Sequence, residues 1–435
     1  MPRRILVDVA PLRESREFRL LFVGTLIGTL GTALTTVAIP YQVYAETHSS
    51  LQVGAVSLAQ LVPLIVGALV GGAVGDAVDR RTLILLSSVA LGLTSVGLAL
   101  NSTATHPSVL AIYVISAAAA GLTGFNNTAR NAVVPNLVRP QHLVAAYSFT
   151  QVVFQLGVVV GPALSGLLIG AIRLPWVYGI DAITYGVTIV AVLLMAPIPP
   201  AAGATRPGLG SVMEGLRYLK GRQALQGVYL IDINAMVFGM PRALFPALAA
   251  DVFHSGATVL GFLYAAVGVG GLLGSATTGW VSHIKRQGLT VILAVVAWGT
   301  AIALFGLSRN LVLSLVLLAL AGWADVISAV LRNTMMMSSI PDRFRSRMSS
   351  IQMAVVQGGP RLGDLESGAV ASAVSIEFSI VSGGLACIAG AVILTALLPG
   401  FRRYRTAIGE PSPDPAGGPS DPAGGPSDED RSPIT

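Results

Sequence analysis

Eight ionisable side chains stand in stretches that are otherwise apolar: Asp181, Asp232, Arg242, Asp325, Arg332, Arg361, Asp364 and Glu366. A charge at the centre of a membrane helix costs at least about 2.5–3.5 kcal/mol on insertion scales, so such groups face a cavity or a partner and mark ion or substrate paths. The acids among them could take up and release protons. Arg361 and Asp364, three residues apart, fall on one helical face and could equally just neutralise each other. Asp181 lies toward the end of its stretch, where water would wet it. Two polar stripes accompany these charges: Asn126, Asn127 and Arg130, then Tyr147, Gln151 and Gln155 at i, i+4 and i+8. Such stripes suit the wall of a polar cavity for an oxygen-rich, anionic small molecule. Arg130 could also sit at a membrane boundary with its guanidinium in water.

Other chemistry is missing from the sequence. No G-x4-G-K-[ST] loop occurs, and the glycine-rich 268–274 segment lies inside an apolar run, so ATP-driven work by this chain alone is excluded. Nothing reads as a catalytic triad. Cys387 is the single cysteine and the five histidines never cluster, which excludes a disulfide framework and a structural zinc site. No enzyme activity, metal or cofactor is expected.

The elements that position these residues follow from composition. Of 435 residues, 53% are hydrophobic and 11% charged, and mean hydropathy is +0.73. A soluble domain carries roughly a quarter charged residues, so a set of soluble globular domains is excluded. A membrane helix needs about 20 mostly apolar residues. Runs of that kind lie at 18–45, 52–75, 82–101, 108–130, 143–170, 175–197, 224–250, 257–281, 288–308, 311–338, 348–373 and 378–399. The spacing predicts an all-α membrane protein of twelve helices. The first run is too long for the apolar region of a cleaved signal peptide, about 7–15 residues, and is expected to be retained.

The basic residues orient the helices. With the N-terminus inside, all but five of the 27 fall in the arm, the inner loops or the tail. The exceptions are Arg173 and Arg309 in outer loops and Arg242, Arg332 and Arg361 within helices. Both termini are therefore expected to be cytoplasmic, with lipid rather than nucleic acid as the partner of the positive charge. An internal repeat supports two parallel halves: Val53-Gly54 and Gly72-x-x-x-Asp76 recur 207 residues later as Leu260-Gly261 and Gly279-x-x-x-His283, each copy followed by a basic pair. The expected layout is an arm (1–17), a first six-helix half (18–197), a linker with one surface helix (198–223), a second half (224–399) and a tail (400–435) that carries DPAGGPS twice and is too poor in apolar residues to fold.

GGAVGDAVDRR (71–81) resembles the loop signature of the major facilitator superfamily, keeping Gly72, Asp76, Arg80 and Arg81 but with Ala77 and Asp79 at its first basic and second glycine positions. GVVVGPALSG (157–166) is similar to the Gly-Pro signature of the superfamily's proton-coupled antiporters. VAIPYQVYAETHSSLQVG (37–54), GDAVDRRTLILL (75–86), RALFPALAADVF (242–253), LGFLYAAVGVGG (260–271) and GWADVISAVL (322–331) resemble the enterobactin-type siderophore exporters in both halves. Macrolide and multidrug exporters share that branch.

The resemblance implies a major facilitator fold that works as a monomer, with Gly72, Asp76, Arg80 and Arg81 as a conformational lock. Asp76 would pair across the halves on the inner side, although His283 in the matching position makes the two locks unequal. Gly157, Gly161, Pro162 and Gly166 would form a gate in the fifth helix, or else simply a tight packing face. Helices 1, 4, 7 and 10 line the superfamily's cavity, which singles out Asp232 and Asp325, with Asp364, as proton-coupling candidates. No acid lies in 20–45, so a first-helix carboxylate is excluded. Substrate-cavity candidates are Asn126, Asn127, Arg130, Gln151, Gln155, Arg332 and Arg361. The expected activity is export of a small molecule, most specifically a siderophore, in exchange for protons. Multidrug or macrolide efflux is the alternative, favoured by an aromatic and methionine-rich cavity. A non-transporting membrane sensor is the distant one.

Overall fold

The computed structural model describes residues 9–75, 78–198, 213–214 and 217–405. The start of the arm, Asp76, Ala77, most of the linker and the repeated tail lie outside the described residues. Twelve long helices run through the rest: α1 (Arg16–Thr47), α2 (Ser50–Gly75), α3 (Arg80–Thr103), α4 (Val109–Leu137), α5 (Leu143–Ala171), α6 (Leu174–Leu193), α7 (Gln223–Phe238), α8 (Ala257–Thr277), α9 (Gln287–Leu307), α10 (Leu311–Ser339), α11 (Asp342–Ala373) and α12 (Ile376–Leu397). Ten of them, and the stretch Gln223–Val252 that α7 opens, are long and apolar enough to cross a membrane; α11 is not among these, carrying three arginines in its first turns and Arg361, Asp364 and Glu366 further on. Local chemistry sets several starts. Ser15, Asp79, Ser108, Asn310 and Ser375 each accept a hydrogen bond from a backbone N–H in the first turn of the helix they precede. His48, at φ 48°, ends α1 in the left-handed conformation.

The seventh run departs from expectation. A single span to residue 250 is replaced by α7, which stops at Phe238, followed by a 3₁₀ turn (Arg242–Leu244), a short helical piece and a π-helical turn (Leu248–Val252). Gly239 and Pro241 break the helix, because proline has no N–H to continue the ladder. The carbonyls set free find side-chain donors: Trp298 Nε1 donates to Gly239 at 2.8 Å, and Tyr264 donates to Arg242 at 3.1 Å. Irregular backbone at membrane depth survives only with such partners.

The helices pack as two similar bundles. In the first half α1 lies against α5 and α6, α2 against α4, and α3 against α4 and α6. Adding six to each number gives the packing of the second half. Two seams join the halves, α2 on α11 and α5 on α8. In both, glycine brings backbone onto backbone. A side chain on Gly54 would overlap the carbonyl of Asp364, and one on Gly368 would meet that of Ser50; Gly261 against Pro162 and Gly166 against Ala257 repeat the arrangement.

The seams close the end of the bundle that holds the starts of α2 and α8. Toward the other end, which carries the arm and most basic loops, a cleft of about 380 Å³ opens between α5 and α8.

A methyl group on Gly54 must push two backbones apart, and overpacking of this kind costs about 1–3 kcal/mol. Gly54→Ala should lower the thermal unfolding temperature of the purified protein, read by tryptophan fluorescence. Gly186→Ala, where nothing lies within 4 Å of the added carbon, should not.

Candidate functional site

The second half holds a buried ionic cluster. α7 supplies Asp232, α10 supplies Asp325, Ser328 and Arg332, and α11 supplies Gln352. Asp325, Ser328 and Arg332 follow helical spacing, so all three share a face. Arg332 Nη2 stands 2.9 Å from Asp232 Oδ1 and 3.8 Å from Asp325 Oδ1. Its Nη1 donates to Ser328 at 2.8 Å, and Gln352 donates to Asp232 Oδ2 at 3.2 Å. The Arg332 and Asp232 side chains are 5% and 1% exposed, whereas Asp325 is 42% exposed. One guanidinium thus faces two carboxylates, and Asp325 is the member open to exchange. Three expected residues, Asp232, Asp325 and Arg332, are brought together here.

A second pair forms where α7 breaks. Arg242 Nη2 lies 3.4 Å from Asp364 Oδ2 on α11. The anticipated neutralisation of Asp364 by Arg361 is not what is found: Arg361 Nη1 donates to its own helix at the Gln357 carbonyl, 2.7 Å away. Arg242 reaches the carboxylate because Gly239 and Pro241 free it from helical direction.

The first half divides the remaining candidates. Asn126 is buried and donates to Ser87 and Ser88 of α3 at 2.6 and 3.3 Å, so it clasps two helices and does not line a cavity. Asn127 is exposed. Arg130 donates to Thr25 of α1 at 3.2 Å. Gln151 and Gln155 line the cleft with Ser148, Val159 and, across the seam, Leu272. Asp181, expected to be wetted, is 2% exposed and held by hydroxyls of α1 and α3.

Asp76 lies outside the described residues. Arg80 is buried and donates to the Ala132 carbonyl of α4 at 2.7 Å. Arg81 donates to the Val192 and Leu193 carbonyls at the end of α6, where the helix dipole favours a cation. These bonds of Arg80 and Arg81 stay within the first half. Asp79 caps α3 and also accepts from the Ile198 N–H at 2.7 Å. Gly72 lies against Thr128.

Gly157 and Gly161 pack on Thr29 and Ala33 of α1, Pro162 contacts Gly261 through its carbonyl, and Gly166 sits in the α5–α8 seam. The same pattern recurs in α11, which sequence reading missed. Gly359, Gly363 and Gly368 repeat the spacing of Gly157, Gly161 and Gly166 at one constant offset, in GPRLGDLESG. Gly359 and Gly363 pack on Met236 and Val237 of α7, as Gly157 and Gly161 pack on α1. The signal is plain in the sequence, but the charges of α11 disguise it.

A third contact crosses the halves at the closed end. Tyr44 of α1 donates to Asp251 in the π-helical turn, and the two are 207 residues apart. That is the offset at which α2 repeats as α8, so positions that correspond in the sequence repeat touch each other across the halves.

The model for the family described as "Transmembrane secretion effector" matches residues 7–410. The chain is 31% identical over 400 residues to the enterobactin exporter EntS of Escherichia coli O1:K1, covering 92% of this chain and 96% of that one. Among solved structures, a POT family transporter in complex with 5-aminolevulinic acid is similar with a TM-score of 0.70 and 10% identity, over 89% of this chain and 97% of that one. The nucleoside transporter NupG is similar with a TM-score of 0.67 and 14% identity, over 88% and 98%. These two likenesses concern the fold.

Removing one partner of a buried ion pair costs about 3–5 kcal/mol, whereas replacing both with apolar residues of similar size is often neutral. Arg332→Met should therefore destabilise the protein strongly. Arg332→Met with Asp232→Leu should recover most of the loss in thermal unfolding.

Proposed function

The chain belongs to the transmembrane secretion effector family of the major facilitator superfamily, and on that premise we propose that it exports a siderophore across the bacterial cytoplasmic membrane in exchange for protons. It is a multi-span transporter of a small molecule and not an enzyme. The observation that carries the siderophore reading is the likeness to the enterobactin exporters along nearly the whole chain.

In this reading the basic end faces the cytoplasm, both termini lie there, and the chain acts as a monomer. The structure then corresponds to an inward-open state. Arg332 with two carboxylates carries a surplus negative charge in a low-dielectric interior, which one proton on Asp325 or Asp232 would remove. An anionic substrate competing for Arg332 would release a carboxylate to take that proton. Substrate and proton would thereby use the same guanidinium in turn. Asp76, Arg80 and Arg81 act as the inner lock when the bundle faces outward, and α5 acts as the gate through Gly157, Gly161, Pro162 and Gly166.

Deletion of the gene in an iron-starved host should raise intracellular siderophore and deplete the medium, measured by mass spectrometry and restored by the wild-type gene. Unchanged levels, with redundant exporters also deleted, would count against siderophore export. In inside-out vesicles, Asp232→Asn and Asp325→Asn should each slow pH-gradient-driven uptake by at least about tenfold, equivalent to about 1.4 kcal/mol. Wild-type rates in both and in the double variant would remove these two residues from coupling.

The contact between Tyr44 and Asp251 gives a second test. Tyr44→Cys with Asp251→Cys, bridged by a short bis-methanethiosulfonate, should stop transport by holding the outer end shut, and cleavage of the bridge with a reductant should restore it. Cys387 is fully buried and does not compete for the reagent.

A further inference from the structure

We propose that Asp181 is a proton-binding site of the first half, filled in the conformation seen here and emptied when α1 shifts against α3 and α6. The inference uses the alternating-access part of the proposed function and does not depend on the roles of Asp232 and Asp325.

The site is built from three helices. Asp181 Oδ2 accepts from Thr35 of α1 at 2.6 Å and from Ser95 of α3 at 2.7 Å. Oδ1 is buried and accepts no hydrogen bond, the nearby Thr184 hydroxyl of α6 donating instead to the Asp181 backbone carbonyl at 2.7 Å, and the residue as a whole is 2% exposed. Gly31 lets the helices approach closely enough to form the site: a Cβ there would stand 2.6 Å from Oδ1 and would overlap the Thr184 hydroxyl.

No arginine, lysine or histidine forms an ion pair with Asp181 among the described residues, in contrast to Asp232 and Asp364. The titratable groups facing it on its own helix are Tyr178 and Tyr185, with Arg130 of α4 beyond Tyr185. α1 and α3 present only hydroxyls to it. A bare carboxylate away from water is far more costly than the neutral acid. The free Oδ1 is where the proton resides. Uptake forms one O–H bond at Oδ1 from water, and release returns that proton to water, with no other reactant.

The position of the site ties occupancy to conformation. Thr25, Thr32, Thr35 and Gln42 lie along α1 and bond in turn to Arg130, Tyr185, Asp181 and Tyr178. The polar column runs from the half-buried Arg130 past Asp181. α5 packs its glycines on α1 at Thr29 and Ala33, and the Ser165 hydroxyl donates to the Leu34 carbonyl at 2.8 Å. Movement of the gate helix therefore displaces the donor at Thr35. Loss of that donor, with water entering, would favour the ionised form and release the proton.

The test is infrared difference spectroscopy on the purified full-length protein through an acid-to-alkaline titration. The wild type should keep a protonated-carboxyl C=O stretch at neutral pH that Asp181→Asn removes. Thr35→Val and Ser95→Ala should shift its frequency, which keeps the test usable if Asp181→Asn does not fold. A spectrum unchanged in Asp181→Asn overturns the proposal, as does a band insensitive to both hydroxyl variants. Loss of the wild-type band on replacing choline chloride by sodium chloride overturns it in favour of a metal cation.

Maleimide labelling of Gln151→Cys reports the inner cleft. Its pH dependence should be reduced by Asp181→Asn, and an identical pH profile would mean that the site does not communicate with α1. Vesicle transport by the Asp232 and Asp325 variants tests the other reading separately.

Discussion

The molecule depends on backbone approaching backbone at two seams. In a bilayer no hydrophobic force drives apolar helices together, so association rests on close packing and on weak contacts between main chains. Gly54 with Gly368 and Gly166 with Gly261 supply that proximity at α2–α11 and α5–α8. Because small residues hold the seams and no ionic network does among the described residues, the two bundles can part at one end and pivot at the other without stranding charges. The cleft beside Gln151 and Gln155 opens where the glycine contacts give out.

Charge is distributed with corresponding asymmetry. The second half holds Asp232, Asp325, Arg332, Arg242, Asp364 and Arg361, most of them tied by pairing. The first half holds Arg130 and Asp181, each bonded to hydroxyl groups. Pairing supports the charged form of both partners in a low dielectric, whereas an acid held only by hydroxyls lacks that support. The two bundles are alike in path but different in electrostatic character.

Much of this was legible in the sequence because the membrane imposes a simple rule. Apolar runs located α1 through α6 and α8 through α12 to within a few residues at most ends, since every backbone group in lipid must bond within its own helix. The rule failed where it has a licensed exception: the 224–250 run hides the break at Gly239–Pro241, which Trp298 and Tyr264 satisfy from α9 and α8. The expected site residues come together unevenly. Asp232, Asp325 and Arg332 converge because α7 and α10 are adjacent. Asn126 and Asp181 were misjudged because composition does not tell which face of a helix meets a neighbour. Partner choice for Asp364 required the bent path of Arg242, and no helical spacing encodes that.

The contact between Tyr44 and Asp251 has a consequence for how such a molecule can be assembled. Two identical six-helix subunits arranged about a twofold axis would bring the same residue to the axis from each side, either two phenols or two carboxylates. Two carboxylates would repel, and two phenols would give up the anionic acceptor. Joining the halves into one polypeptide lets the equivalent positions differ, so a donor meets an acceptor where symmetry alone would force a like pair. Joining the copies thus makes the protein a heterodimer within a single chain, and the contact at its closed end exists only because the copies are no longer the same.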